Sequence, residues 1–519
     1  MSEQYLLHVN STKIVGKEVT KRLSNLSLQY MVIKDQNIVA KVNPTLLVNR
    51  NRFDVIAKYI YAKYRELEVN CNWSLQLYSE HIRIFTGYKE PDGSKSGERV
   101  HIDCFNKLLD SVKDSGFDAD SSLVPVVNGD FPIDGGHRIA ACLFCKKEIY
   151  AIFSDVVYVN NYPKPYDYYF FKERGLAKNL SDAMALEYCK LKTNTYIVII
   201  WPSAVGKDQK IAEILQKYGS IYYKKDVFLF NRGPLNLLQQ ILPPLTWSEN
   251  EDDNFSGIND KLSGCFKRTG ITRAYVFESD SLEKVTQAKQ KIQELFGVRE
   301  HSVYINDTHE ETVHIAQLLL NDNSINFLNY AHLKKFDEFQ NLLKDYKEWL
   351  EKNNVDKECI CIDSSSVMAA YGIKATEDLS CLHHGYDDIF LNSPNINSSN
   401  NQLNSSKISK DEIIFNPDNH FYYNGLKFIS LDAFKKLEEE KKENKRIEEI
   451  NEIDKFLDNY QNKIVKLFFY LKIFFSYWSI YLLSIEGSIF FKRVVRWVEI
   501  RSEKLATTIK KNLSFQTNN

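Results

Sequence analysis

The sequence predicts a multidomain protein of mixed α/β (α+β) class. Three observations carry that expectation. Short apolar strands alternate with amphipathic helical patterns over most of the chain. The length of 519 residues corresponds to about three or four units at roughly 150 residues each. A hydrophobic content of 44% with 26% charged residues belongs to a chain that packs cores, not to a disordered one.

The first unit is expected over residues 1–160. Ile56, Tyr59, Ile60 and Tyr64 recur at helical spacing after Asn51-Arg52-Phe53-Asp54. Residues 122–127 and 131–133 have strand character, 139–147 helical character, and 149–153 strand character again. Residues 161–192 form a connection that includes a helix over 180–189. A second α/β unit, 193–330, opens on the continuously apolar run 195–201, a buried type of strand. A helix with Ile211, Ile214 and Leu215, a strand at 226–230, and a loop over 247–264, acidic in its first half, follow. The unit closes with a strand at 274–277, a helix over 282–295, a strand at 301–305 and a helix over 310–320. A small third unit, 331–432, has a helix over 336–351 and a strand at 358–362. It also has an Asn/Ser-rich insertion at 392–406 and a hairpin over 421–428 turning on Asn424-Gly425. Residues 433–519 form a helical tail, first charged and then aromatic.

Composition narrows the function classes. With 67 Lys+Arg against 68 Asp+Glu the net charge is -1, which argues against a chain built to coat DNA. Nine cysteines, an odd number without dense spacing, read as reduced thiols in a cytoplasm. The first residues show no secretory signal.

The strongest motif is Asp134-Gly135-Gly136-His137-Arg138, between a strand and a helix. Two glycines permit a tight turn. The free N–H groups at a helix start attract anions, and Arg adds a forked phosphate donor. The plainer alternative is a tight turn whose His137 and Arg138 cap or pair at the surface. Cys142 and Cys145 on the same helix read as two packed residues, since no second pair stands at ligand spacing.

Over roughly residues 40–158 this pattern resembles the ParB/sulfiredoxin superfamily. The turn is closest to the Asp-Gly-His-His-Arg form of its small-molecule kinases, with Gly136 in place of one His. Asn51-Arg52-Phe53-Asp54 is similar to the Arg-containing first box of ParB. The resemblance implies a ParB/sulfiredoxin-like domain that binds ATP or another nucleotide with Mg²⁺. Gly135, Gly136, His137, Arg138 and Arg52 would hold the phosphates, and Asp134, His137 and Arg138 would form the catalytic set. The implied reaction is phosphate transfer to a small-molecule acceptor, assisted by an acidic general base. The Cys that sulfiredoxin carries in this turn is absent, so sulfinic-acid repair is not expected. No DNA-binding helix-turn-helix follows, so no DNA partner is expected. Two alternatives remain: a non-enzymatic, nucleotide-gated ParB-like module, and a nucleotidyltransferase of cell-surface glycan assembly.

Later motifs are weaker. Residues 201–208 sit where a Walker A loop would, but Trp201 and Asp208 break its pattern. Asp307, His309 and Glu310 could bind a metal or exchange protons, and the same stretch reads as a capping box from Thr308 to Glu311. Asp363-Ser364-Ser365-Ser366 with Asp378 resembles a polymerase-beta-type nucleotidyltransferase segment. Ser380 replaces the second carboxylate, so a degenerate domain is expected. His383-His384 reads as a packing or surface pair. Finally, residues 467–485 carry one charge, Lys472, over about 19 residues with basic flanks. Residues 464–501 therefore suit membrane contact or a buried, oligomerising helix. The expected location is cytoplasmic, with peripheral contact at the inner face of the membrane.

Overall fold

The computed structural model describes residues 11–456, apart from 91–92, 94, 161, 243–253, 268–269, 392–395, 401–406 and 442–449. The tail segment 464–501 lies outside the described residues. Among the described residues no helix is long and apolar enough to cross a membrane.

The chain is mixed α/β, with three sheets among the described residues. The first holds β1 (Ser11–Val15), β2 (Gln36–Val42), β3 (Val124–Val127), β4 (Phe131–Pro132) and β5 (Ile149–Ser154), in the order β1-β2-β5-β3-β4. Only β3 and β5 run parallel in it. Two short helices, α1 (Gly16–Lys21) and α2 (Asn25–Leu28), lie between β1 and β2. Then come α3 (Asp54–Glu66), α4 (Trp73–Thr86), α5 (Glu98–Ser115) and, directly after β4, α6 (Gly136–Phe144). Helix α3 is buried almost all round, with Val55, Ile56, Ala57, Ile60, Tyr61 and Ala62 in the core. It packs on α4 and α6.

The connection supplies α7 (Tyr168–Glu173) and α8 (Lys178–Leu191). In the second unit, β6 (Thr195–Ile200), α9 (Asp208–Tyr218) and β7 (Ser220–Val227) are followed by α10 (Gly233–Ile241) and α11 (Asn254–Cys265). Next come β8 (Thr272–Glu278), α12 (Leu282–Leu295) and β9 (Val303–Ile305). The sheet order β7-β8-β6-β9 is antiparallel throughout. This is a split β-α-β arrangement, with α10 and α11 inserted before β8. Helices α13 (His309–Leu319) and α14 (Asp322–Tyr330) lead to the third unit.

The third unit contains α15 (Asp337–Lys352), β10 (Ile360–Asp363), α16 (Ser365–Tyr371), β11 (Leu379–His383) and α17 (Asp387–Leu391). It continues through β12 (Ile396–Ser398), α18 (Lys410–Phe415), β13 (His420–Tyr423), β14 (Leu426–Ile429) and α19 (Leu431–Lys441). Its sheet order is β12-β11-β10-β14-β13. The β13–β14 hairpin turns on Asn424 and Gly425, both at positive φ (51° and 74°), the pair a tight two-residue turn requires.

Three elements differ from the sequence reading. The strand expected at 226–230 begins at Ser220, because Ile221 and Tyr223 pair with β8 on either side of a bulge at Tyr222. The loop at 247–264 contains α11. The Asn/Ser-rich insertion contributes β12, which pairs parallel to β11.

The first and second units share one hydrophobic core, while the third has its own. Tyr222 of the second sheet stacks on Tyr188 of α8 (ring centroids 3.4 Å apart) and lies 5.2 Å from Phe53 of the first unit. An ionic chain then joins the first unit to the third through α8: Lys63 to Glu187 (3.0 Å), Glu187 to Lys190 (3.9 Å), Lys190 to Glu358 (2.8 Å) and Glu358 to Lys427 (3.0 Å). All nine cysteines are free.

Candidate functional site

Asp134–Arg138 forms the corner between β4 and α6. Gly135 takes the left-handed conformation (φ +87°) as the N-cap of α6. Ile139 N–H donates to the Gly135 carbonyl, the first bond of the helix. The amides of Gly136, His137 and Arg138 precede it at the positive end of the dipole.

Gly136 is a glycine because of what stands against it. A Cβ there would lie 2.1 Å from Arg52 Nη2 and 2.8 Å from Asp54 Oδ2. Arg52 and Asp54 come from the first box, more than eighty positions upstream. The two motifs read separately in the sequence are thus joined in one site. Arg52 donates from Nε to Asp54 Oδ1 (2.8 Å), from Nη2 to Asp54 Oδ2 (2.9 Å) and from Nη1 to the Pro132 carbonyl (3.0 Å). Lys58, one helical turn after Asp54, donates to the same Oδ2 (2.6 Å). The exposures of Arg52, Asp54 and Lys58 side chains are 3%, 0% and 1%.

Electrostatics follow from this packing. Burial alone would raise the Asp54 carboxyl, but Arg52 and Lys58 hold it far below the usual carboxylate range. Burial lowers Arg52 as well, yet Asp54 outweighs it and the guanidinium sits above its ordinary value. Lys58 goes the other way. Burial exceeds the attraction of Asp54, Arg52 adds repulsion, and the ammonium falls below its ordinary value.

These residues open on a cleft of about 460 Å³, lined by Arg52, Lys58, Gly136, His137, Asp134 and Glu90 among others. Phe85 and Tyr166, edge to face at 4.5 Å, add an aromatic wall. His137 Nε2 contacts the Tyr78 hydroxyl (2.9 Å). Burial first, and then Lys58, Lys95 and His81, push this imidazole well below its ordinary value, so it is neutral at pH 7. Asp134 accepts from the Gly135 N–H, Ser24, Ser27 and Arg138. Burial raises its carboxyl, but Arg138 and the Gly135 N–H outweigh that and hold it below the ordinary range. Arg138 donates to the Leu123 carbonyl (3.1 Å) and to Asp134 (3.4 Å), and does not line the cleft. Glu90 Oε1 stands 3.7 Å from Nε2 of the buried His101.

The other sequence-predicted residues are engaged elsewhere. Thr308 and Glu311 make the full capping box, with Glu311 Oε2 accepting from the Asp307 and Thr308 N–H groups. His309 Nε2 donates to the Cys189 carbonyl (2.8 Å), tying α13 to α8, while Asp307 and Glu310 are exposed. The stretch therefore acts as a helix start. Lys207 donates to the Leu295 carbonyl (2.6 Å) and Asp208 pairs with Arg273 (2.7 Å), tying the Walker-like loop to α12 and β8. Asp363 lies in register with Ser380 and accepts from Ser399 (2.8 Å), while Asp378 accepts from Thr376 (3.2 Å) and Asn397 (2.9 Å). His383 stacks on Phe390, and His384 bridges Asp411 and the Leu67 carbonyl, so both pack as expected. Among the described residues no group of three His, Cys, Asp or Glu could hold a metal.

Asp54, Lys58, Glu90 and His101 were not singled out from the sequence. For the first two a signal existed: two opposite charges one turn apart, Asp54 heading the apolar run Val55–Ala62 and Lys58 inside it. A comparison with protein-family models finds no matching family, and comparisons with curated proteins and with solved structures find no match.

Proposed function

We propose that this chain is a nucleotide-binding phosphotransferase of the small-molecule-kinase kind, with its site in the cleft between α3, α4 and α6. The observation that carries this reading is the contact of Gly136 with Arg52. It brings a forked cation from the first box against the start of a helix, on a cleft large enough for a nucleotide's phosphates. Phe85 and Tyr166 suit a planar base or an apolar part of the acceptor at the other side.

Roles follow from the geometry. Arg52, Lys58 and the α6 amides hold the phosphates and stabilise charge as the terminal group moves. His137, being neutral, contributes a dipole and shape and no charge. Asp134 is a poor proton acceptor because its contacts favour the ionised form, and it fixes the turn instead. Glu90 lines the cleft and fits the acidic general base. It would take the acceptor's hydroxyl proton as that oxygen bonds to the terminal phosphorus. The bond to the leaving diphosphate then breaks, its electron pair remaining on the leaving oxygen. Mg²⁺ would enter on the nucleotide's own phosphates.

The test is equilibrium binding of Mg·ATP and Mg·CTP to the full chain, its Gly136→Ala and its Arg138→Ala variants. Gly136→Ala should weaken binding about tenfold, and Arg138→Ala by less, since its guanidinium is spent on Leu123 and Asp134. Absence of binding to the wild type would remove the proposal.

A further inference from the structure

In the Arg52–Asp54–Lys58 cluster two cations share a single carboxylate, all three side chains being out of water. Both oxygens of Asp54 are already engaged by the fork of Arg52, and Lys58 shares one of them. The cluster therefore carries one surplus positive charge. Asp134 acts on Arg52 and Glu90 acts on Lys58, but neither is a full counter-charge. Asp134 is matched by Arg138, His137 is neutral, and Glu90 is partly exposed on the cleft wall beside His101. Lys89 also lines the cleft and Lys95 lies within electrostatic reach of His137, and both add positive charge. His81 is wholly buried near Lys58, and burial together with Lys58 holds its imidazole well below the ordinary value.

Burying an unmatched charge costs stability unless something else offsets it. An ammonium also has three donors; among the described residues Lys58 makes one hydrogen bond, to Asp54, and otherwise stands 5.5 Å from the centre of the Phe85 ring. Its side chain lines the cleft together with Gly136, where the α6 dipole adds further positive potential.

We propose that Lys58 and the start of α6 form a receptor for a phosphoryl dianion, which supplies the counter-charge that the buried Arg52–Asp54–Lys58 cluster lacks. This deepens the nucleotide reading, on which the identity of the phosphoryl group as a nucleotide's terminal phosphate rests. A free phosphate or pyrophosphate presents the same chemistry.

The proposal has a two-sided consequence. Lys58→Met removes the surplus charge and leaves the forked Arg52–Asp54 pair. The ligand-free variant should melt at or about 2 °C above the wild type. It should also lose at least about tenfold in affinity for inorganic phosphate and pyrophosphate.

The experiment is thermal denaturation and calorimetric titration of the full chain, wild type and Lys58→Met, with phosphate, pyrophosphate and Mg·ATP in turn. Stabilisation of the wild type by phosphate or pyrophosphate, lost in the variant, is the expected result. Equal stabilisation of both chains, or none of the wild type by any of the three, overturns the receptor. Should Lys58→Met not fold, Lys58→Gln is read in the same way. The two proposals fail separately. Phosphate binding through Lys58 without Mg·ATP binding leaves the receptor and removes the nucleotide reading. Mg·ATP binding of equal affinity in both chains does the reverse.

Discussion

Two strand-to-helix corners in this molecule look alike in sequence and differ in space. The first, Asp134–Arg138, joins β4 to α6. The second, Asp363–Ser366, joins β10 to α16, with Ser364 at positive φ (58°). Both combine small residues with a leading Asp, and both suggested phosphate chemistry. The first is approached by Arg52 and Lys58 and opens on a cleft. At the second, Asp363 and Asp378 accept from Ser399, Thr376 and Asn397 within the same unit. The lesson is electrostatic. A polar turn becomes a site when it faces charge that its own fold leaves unmatched, and it becomes structure when local donors satisfy it.

The largest expected effect breaks the first corner. Arg52→Ala strips Asp54 of its fork and leaves a buried carboxylate with Lys58 alone. Denaturant unfolding should show a loss of about 3–5 kcal/mol, with nucleotide binding abolished. Gly136→Ala comes next. The new methyl displaces the guanidinium, at about 1–3 kcal/mol in the same measurement.

Acid probes the third unit, where a buried histidine is spent on structure. Burial, followed by the charge of Lys427, pushes His420 down to about 3. Its folded value lies below the ordinary histidine value, so the unfolded chain takes up the proton first. Its contribution is fully present above about pH 6.5 and is lost as pH falls toward 3. Between pH 7 and 5 this amounts to roughly 2 kcal/mol, and stability measured over that range should fall less steeply in His420→Gln. The smallest effect belongs to the second corner. Asp378→Ala removes two partly exposed hydrogen bonds, for about 1 kcal/mol, and should leave Mg·ATP affinity unchanged.

Local signals were legible in the sequence where the physics is local. The Asn424-Gly425 turn, the Thr308–Glu311 box and the apolar β6 all stand where short-range pattern puts them. The start of β7 was missed because Ile221–Tyr223 takes its strand form from pairing with β8, a partner some fifty residues on. The same holds for the site. The turn and Arg52 were visible as separate boxes, but their contact through Gly136 is a property of packing. So is the role of Lys58: its charge is written in the sequence, while its burial beside one shared carboxylate is not. Arg138, the most prominent cation of the motif, anchors the residue just before β3 through the Leu123 carbonyl.

The most direct test of the central claim is a crystal structure of the full chain with Mg²⁺ and a non-hydrolysable ATP analogue. The phosphates should lie in the cleft, within hydrogen-bond reach of Lys58 and the first amides of α6. Phosphates bound at the Ser364–Ser366 corner, or anywhere outside the cleft, would contradict it.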